Sequence, residues 1–180
     1  MRRLGLLVSR WVLGGYLAVH GAQKLFGAFG GHGLAATASG FGSLGLRPAK
    51  VMATLAGVSE MGGGVLTATG LADPLGPVAV AGTMAVAAAV HRRQGPLAQK
   101  GGFELPLTNL ALAVALMSSP GRSGLGLRLP RSLARLVVAG GIGAAAVAIG
   151  QILLAQPVDA QPADAQAQAP AHAEPAVSNG

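Results

Sequence analysis

The stretch KVMATLAGVSEMGGGVLTATGL, residues 50–71, decides the fold. Between Lys50 and Leu71 it holds one ionisable side chain, Glu60, within an apolar run as long as the roughly 20 residues that cross a bilayer. Ten residues into a helix, Glu60 would lie about 15 Å deep, near the bilayer middle, where a carboxylate is costly. The positions on its helical face are Ala53, Ala56, Gly57, Gly63, Gly64 and Thr67. Small residues of this kind let helix backbones approach closely in membranes, so Glu60 is expected to face other helices rather than lipid.

Further apolar runs flank this one. Residues 4–26 form the first, preceded by Arg2 and Arg3, and a Gly-rich loop over residues 27–48 joins it to the second. A basic start followed by an apolar run also suits a cleaved signal peptide, but Arg10 interrupts the run and no small-x-small cleavage site follows. The turn Asp73-Pro74-Leu75-Gly76-Pro77 breaks the second helix, and the third run reaches Val90 before stopping at His91-Arg92-Arg93. A polar loop with Lys100 precedes a fourth run, residues 103–117; residues 118–132 are basic and rich in Gly and Pro. A fifth run covers residues 133–155, with a small-residue seam at Gly140, Ala144 and Ala148. Residues 156–180 repeat Pro, Ala and Gln and are expected to be disordered. The expected fold is all-α: a polytopic transmembrane helix bundle with a four-helix core in residues 1–125, then a basic linker and a fifth transmembrane helix in 126–155, then the tail.

Composition agrees, with 51% of residues hydrophobic and 11% charged. There is no cysteine, which excludes thiol-disulfide exchange, Fe–S ligation and thiolate zinc sites carried by this chain. The net charge is +7, and Asp159, Asp164 and Glu174 all lie in the tail, so the bundle sets Glu60, Asp73 and Glu104 against thirteen Lys and Arg. These basic residues fall beside apolar spans, with neither a basic helix nor an aromatic stacking platform; they suit lipid headgroups and exclude a nucleic-acid partner. Basic residues are nearly balanced between the two faces; a cytoplasmic N-terminus and an outside tail are the preferred orientation.

Chain order alone brings polar groups together. Lys24 closes the first run, His91 closes the third and Glu104 opens the fourth, so all three share one face of the bundle. His20 lies one turn deeper than Lys24, about 6 Å, on the same side of its helix. Lys24 and Glu104 are expected to pair across the first and fourth spans, and Glu104 is in line with Thr108, Ala111 and Ala115. The candidate ligand or proton site is therefore His20, Lys24, Glu60, His91 and Glu104, with Glu60 and His20 at the centre of a cavity between the first, second and fourth spans. A protonated Glu60 acting only as interhelical glue is the alternative. No metal site is expected.

The motifs His20-Gly21-Ala22-Gln23-Lys24-Leu25-Phe26-Gly27, Gly57-Val58-Ser59-Glu60-Met61-Gly62-Gly63-Gly64 with Thr69-Gly70-Leu71, then His91, Gly101-Gly102-Phe103-Glu104-Leu105-Pro106-Leu107 and Ser119-Pro120-Gly121 resemble the DoxX family of small bacterial membrane proteins. The resemblance covers residues 4–125 and implies a four-helix membrane bundle in the bacterial inner membrane with a link to quinone or thiol-oxidant metabolism. It delivers no reaction. Three functions stay open: a membrane subunit of a quinone-linked redox or oxidative-stress complex, a scaffold that docks soluble redox proteins or a second copy through its basic loops, and a small proton-coupled transporter. Quinone is the cofactor this resemblance allows. Haem is disfavoured, because His20 and His91 differ in depth and few aromatics could line a porphyrin.

Overall fold

The computed structural model describes residues 2–119 and 128–154. Within them lie six α-helices: α1 (Arg2–Phe26), α2 (Gly33–Ser43), α3 (Ala49–Thr69), α4 (Leu75–His91), α5 (Glu104–Met117) and α6 (Arg131–Leu154). The tail over residues 156–180 lies outside the described residues. Helix ends follow local chemistry. Gly27 (φ 71) and Gly70 (φ 69) take the left-handed conformation just past α1 and α3, and their N–H groups close onto the Gln23 and Leu66 carbonyls. Pro48, Pro74 and Pro130 precede α3, α4 and α6, and their carbonyls accept the first helical N–H bonds. Pro106 sits in the first turn of α5, where no intrahelical donor is lost.

One end of the bundle, here the upper end, gathers the C-termini of α1, α4 and α6 with the N-termini of α3 and α5. The segment expected as a Gly-rich loop over residues 27–48 contains α2, which packs at this end on α3 and α1. Its small Ala, Gly, Thr and Ser side chains show no run of large apolar residues, so periodicity carried no helix signal there.

The tightest contact is between α1 and α3, which run antiparallel. A Cβ at Gly21 would lie 2.2 Å from the Met61 backbone nitrogen and 2.6 Å from the Gly57 carbonyl oxygen; one at Gly14 would lie 2.5 Å from the Gly64 oxygen. The small face read around Glu60 is the buried face of α3: Ala53, Gly57, Glu60, Gly63, Gly64 and Thr67. Backbone contact replaces the solvent-driven burial that is absent between helices in lipid.

Leu13 and Leu17 of α1, Val80, Ala81 and Met84 of α4, and Ala113 and Leu116 of α5 form the main apolar core. With α3 these helices make the four-helix core. The stripe of Glu104, Thr108, Ala111 and Ala115 on α5 faces outward, because the packing residues Ala113 and Leu116 lie on another face.

The fifth apolar run is a continuous helix, α6, lying on α4. Its contact face differs from the seam expected at Gly140, Ala144 and Ala148: Gly140 and Ala144 are exposed, and Ala148 and Ile152 are buried. A small residue does not choose the face when lipid accepts every apolar side chain equally. The upper half of α6 instead finds Leu46, with Phe41, Met52, Val86, Ala89 and Val90 packed around the cluster. Gln151 also bonds the Arg47 backbone, its Nε2 donating to the Arg47 carbonyl at 3.1 Å.

Among the described residues, α3, the α4 segment and α6 are long and apolar enough to cross a membrane. α1 has the length but carries Arg10, His20 and Lys24, and α5 is shorter at 14 residues. Large apolar side chains such as Trp11, Leu136 and Ile142 stand exposed on the outer surface, as lipid contact requires. Reporters fused after Ser119 and after Leu154 should report opposite sides of the membrane; the same side would mean that α6 does not cross. Gly21→Val should abolish the folded bundle in detergent, since the added carbons meet α3 backbone, whereas Gly15→Val, at a site with open space around it, should leave the melting temperature within a few degrees. Equal behaviour would count against the close α1–α3 approach.

Candidate functional site

Two ion pairs clamp the α1–α3 pair, one near each end. At the lower end Arg10 and Asp73 are both buried. The Arg10 guanidinium donates to both Asp73 carboxylate oxygens, at 3.2 Å and 2.5 Å, and to the Thr67 carbonyl at 3.1 Å. Thr67 lies in the last turn of α3, where carbonyls lack helical partners, so the cation also meets the negative end of that helix. The Asp73 carbonyl accepts the Leu129 N–H at 3.0 Å, tying the approach to α6 onto the same turn. Neither residue belongs to the site expected from the sequence; Arg10 reads there as an interruption and Asp73 as a turn former. The available signal was that each is a lone charge beside an apolar span.

At the upper end Lys24 Nζ donates to Glu60 Oε1. The register explains the reach. Gly14 lies against the Gly64–Ala68 turn and Gly21 against the Gly57–Met61 turn, so Glu60 lies near the level of His20, about 6 Å below Lys24. Side chains lean toward the N-terminus of their own helix, which carries Lys24 downward and Glu60 upward until they meet. The expected Lys24–Glu104 pair is not what forms. Glu104 is exposed, at the first position of α5, where its charge favours the helix start and its Oε2 accepts the Ala98 N–H at 3.0 Å. Chain order placed it at the right end of the bundle without placing it against α1.

Glu60 is 2% exposed, and its second oxygen, Oε2, is buried without a hydrogen-bond partner; Lys24 is 32% exposed. Lys24 thus stands between a closed carboxylate and an open cleft of about 400 Å³, lined by His20, Gln23, Lys24, His32 and Thr37 along with the backbone at Gly30 and Gly31. His20 Nδ1 lies 2.8 Å from Gln23 Oε1, and the Tyr16 ring meets the His20 ring edge-on at 4.2 Å. The Thr37 hydroxyl donates to the Gly33 carbonyl at 2.8 Å.

His20 and Lys24 therefore share one cleft, with Glu60 beneath Lys24. His91 and Glu104 do not line it. His91 ends α4, with its Nδ1 buried and unpartnered. The cleft lies between α1 and the residue 28–37 segment rather than between the first, second and fourth spans, because the α1–α3 interface is too close to hold a cavity. Gln23, His32 and Thr37 were missed as site residues. Gln23 could have been found from its position three residues after His20 on one helix face, whereas His32 and Thr37 depend on a segment with no periodic signal. Among the described residues no cluster of three His, Asp or Glu could hold a metal ion.

Apolar spanning helices around interior ion pairs define a multi-pass membrane protein. The DoxX family model matches residues 5–93, α1 through the turn after α4, and supports assigning the chain to the DoxX family. No curated protein and no solved structure matches it.

Removing one member of a buried pair leaves the other charge uncompensated, at a cost of roughly 3–5 kcal/mol in soluble proteins. Asp73→Ala should therefore lower the melting temperature in detergent more than the double change Arg10→Met with Asp73→Ala. The same order should hold for Lys24→Met against Lys24→Met with Glu60→Gln. Melting temperatures of the four variants check both, and a double variant that melts no higher than its single would count against the coupling of that pair.

Proposed function

We propose that this protein is the membrane subunit of a quinone-linked redox or oxidative-stress complex in a bacterial inner membrane, and that the cleft beside Lys24 receives a quinone head group. The observation that carries the reading is the buried, unpartnered Glu60 Oε2 behind a partly exposed Lys24 in a cleft otherwise lined by His20, Gln23, His32 and Thr37. An enclosed carboxylate oxygen with no donor is uncommon in a folded protein. It is accounted for if Glu60 exchanges a proton, with Lys24 as the link to the cleft.

The residues suit such a head group. About 400 Å³ falls in the range of small-molecule sites, and imidazole, amide and ammonium groups can donate to or accept from ring oxygens. When bound, the quinone would supply electron chemistry that a chain without cysteine cannot draw from thiols. The chain's part is to orient the head through Lys24 and His20 and to hold a proton at Glu60. Membrane lipid surrounds the bundle, and soluble redox partners would dock at the ends of the helices.

A scaffold role is the second reading, supported by the exposed Arg47, Lys50, Arg93 and Lys100 at the upper end, the end on which the cleft opens. Quinone extracted from protein purified out of native membranes should be present in near-equimolar amount for the parent and strongly reduced for Glu60→Gln, with membrane insertion intact. Absence of quinone from the parent would overturn the redox reading. Equal retention by Glu60→Gln, with Glu60→Leu disrupting the bundle, would make Glu60 structural only.

A further inference from the structure

Gln23 settles which nitrogen of His20 carries a hydrogen. The Gln23 amide Nε2 donates to the Phe29 carbonyl oxygen at 3.3 Å. A carbonyl only accepts, so the amide nitrogen must face it, and Gln23 Oε1 then faces His20 Nδ1 at 2.8 Å. An amide oxygen also only accepts. The hydrogen of a neutral His20 is therefore on Nδ1, and its lone pair is on Nε2.

Both anchors of Gln23 are fixed by the backbone. It sits in the last turn of α1, and Phe29 is held with φ 51 between Gly27 and Gly30, a left-handed conformation that a bulky residue seldom takes. Gly31 packs against Gln23 so closely that a Cβ there would come within 2.5 Å of the Gln23 Cβ. The loop and the amide hold one another. Among the described residues His20 Nε2 has no hydrogen-bond partner, while His20 itself lines the cleft.

We infer that His20 Nε2 is a fixed hydrogen-bond acceptor in the cleft, and that the site therefore favours a head group presenting a hydroxyl, the quinol form, over one presenting only carbonyl oxygens, the quinone form. This rests on the quinone reading above. Lys24 donates equally well to oxygens of either form, so it does not discriminate. His20 does, because its lone pair meets a hydroxyl hydrogen in one case and another lone pair in the other. Gln23 is a positioning residue that acts through His20.

The test uses the full chain in nanodiscs under anaerobic conditions, titrated calorimetrically with a benzoquinol carrying one isoprenoid unit and with its oxidised form. The parent should bind the quinol about tenfold tighter, the effect of one hydrogen bond gained against one acceptor left facing an acceptor. Gln23→Met frees the imidazole and should bring the ratio toward one, whereas Gln23→Glu keeps an acceptor at Nδ1 and should preserve the preference. Nitrogen-15 spectra of histidine-labelled parent, assigned by comparison with His20→Asn, should show His20 protonated at Nδ1, and this measurement needs no ligand and no variant of Gln23. A proton on Nε2, or equal or tighter binding of the quinone, overturns the inference and leaves the quinone site standing. If the parent binds neither form, the quinone site falls and the inference with it.

Discussion

The near-contact of the α1 and α3 backbones is the constraint on which the rest of the structure depends. Gly14 and Gly21 lie against the α3 backbone and Gly64 against the α1 backbone with no room for a Cβ at any of the three, which fixes both separation and register. Lipid is as apolar as the helices it surrounds, so attraction between them must come from close packing and from polar contacts. Once the register is set, Lys24 has one acidic partner within reach. Glu60 is enclosed because the two backbones that flank it exclude lipid and water together.

The two ion pairs differ in what they permit. Arg10 and Asp73 are both buried, and Arg10 also caps the end of α3 by donating to the Thr67 carbonyl. That arrangement joins α1, α3 and the turn before α4 into one unit at the lower end. Lys24 and Glu60 are unequal: one reaches an open cleft and the other does not. A pair with one accessible member can pass a proton or respond to a ligand, and a pair with neither accessible serves stability. The upper pair is therefore the one suited to a functional role.

Much of this was legible from residue order. The run of residues 50–71, with its lone Glu60 among small residues, is the buried face of α3, and the turn at Asp73-Pro74 ends that helix as its Pro and Gly content requires. The pairing of Lys24 was misread because depth along the bundle was used as a substitute for adjacency. Lys24 and Glu104 do lie at one end, but side-chain lean brings Lys24 down to Glu60, and the helix start holds Glu104 at Ala98. The same shortfall placed the α6 seam on Gly140 and Ala144, since residue size marks where close packing is allowed without saying where a neighbour stands.

By itself, then, the sequence determined that this is an all-α membrane bundle, where its long apolar helices lie, and that Glu60 sits on the small, buried face of one of them. These follow from hydropathy, Pro and Gly, all properties of the local chain. Tertiary structure decided which charge meets which, that residues 33–43 form a helix, and that Gln23, His32 and Thr37 join His20 around one cleft. Those outcomes depend on the separation and rotation of neighbouring helices. In lipid every apolar face is equally at home, so rotation is set by where backbones can touch, and no single segment carries that information.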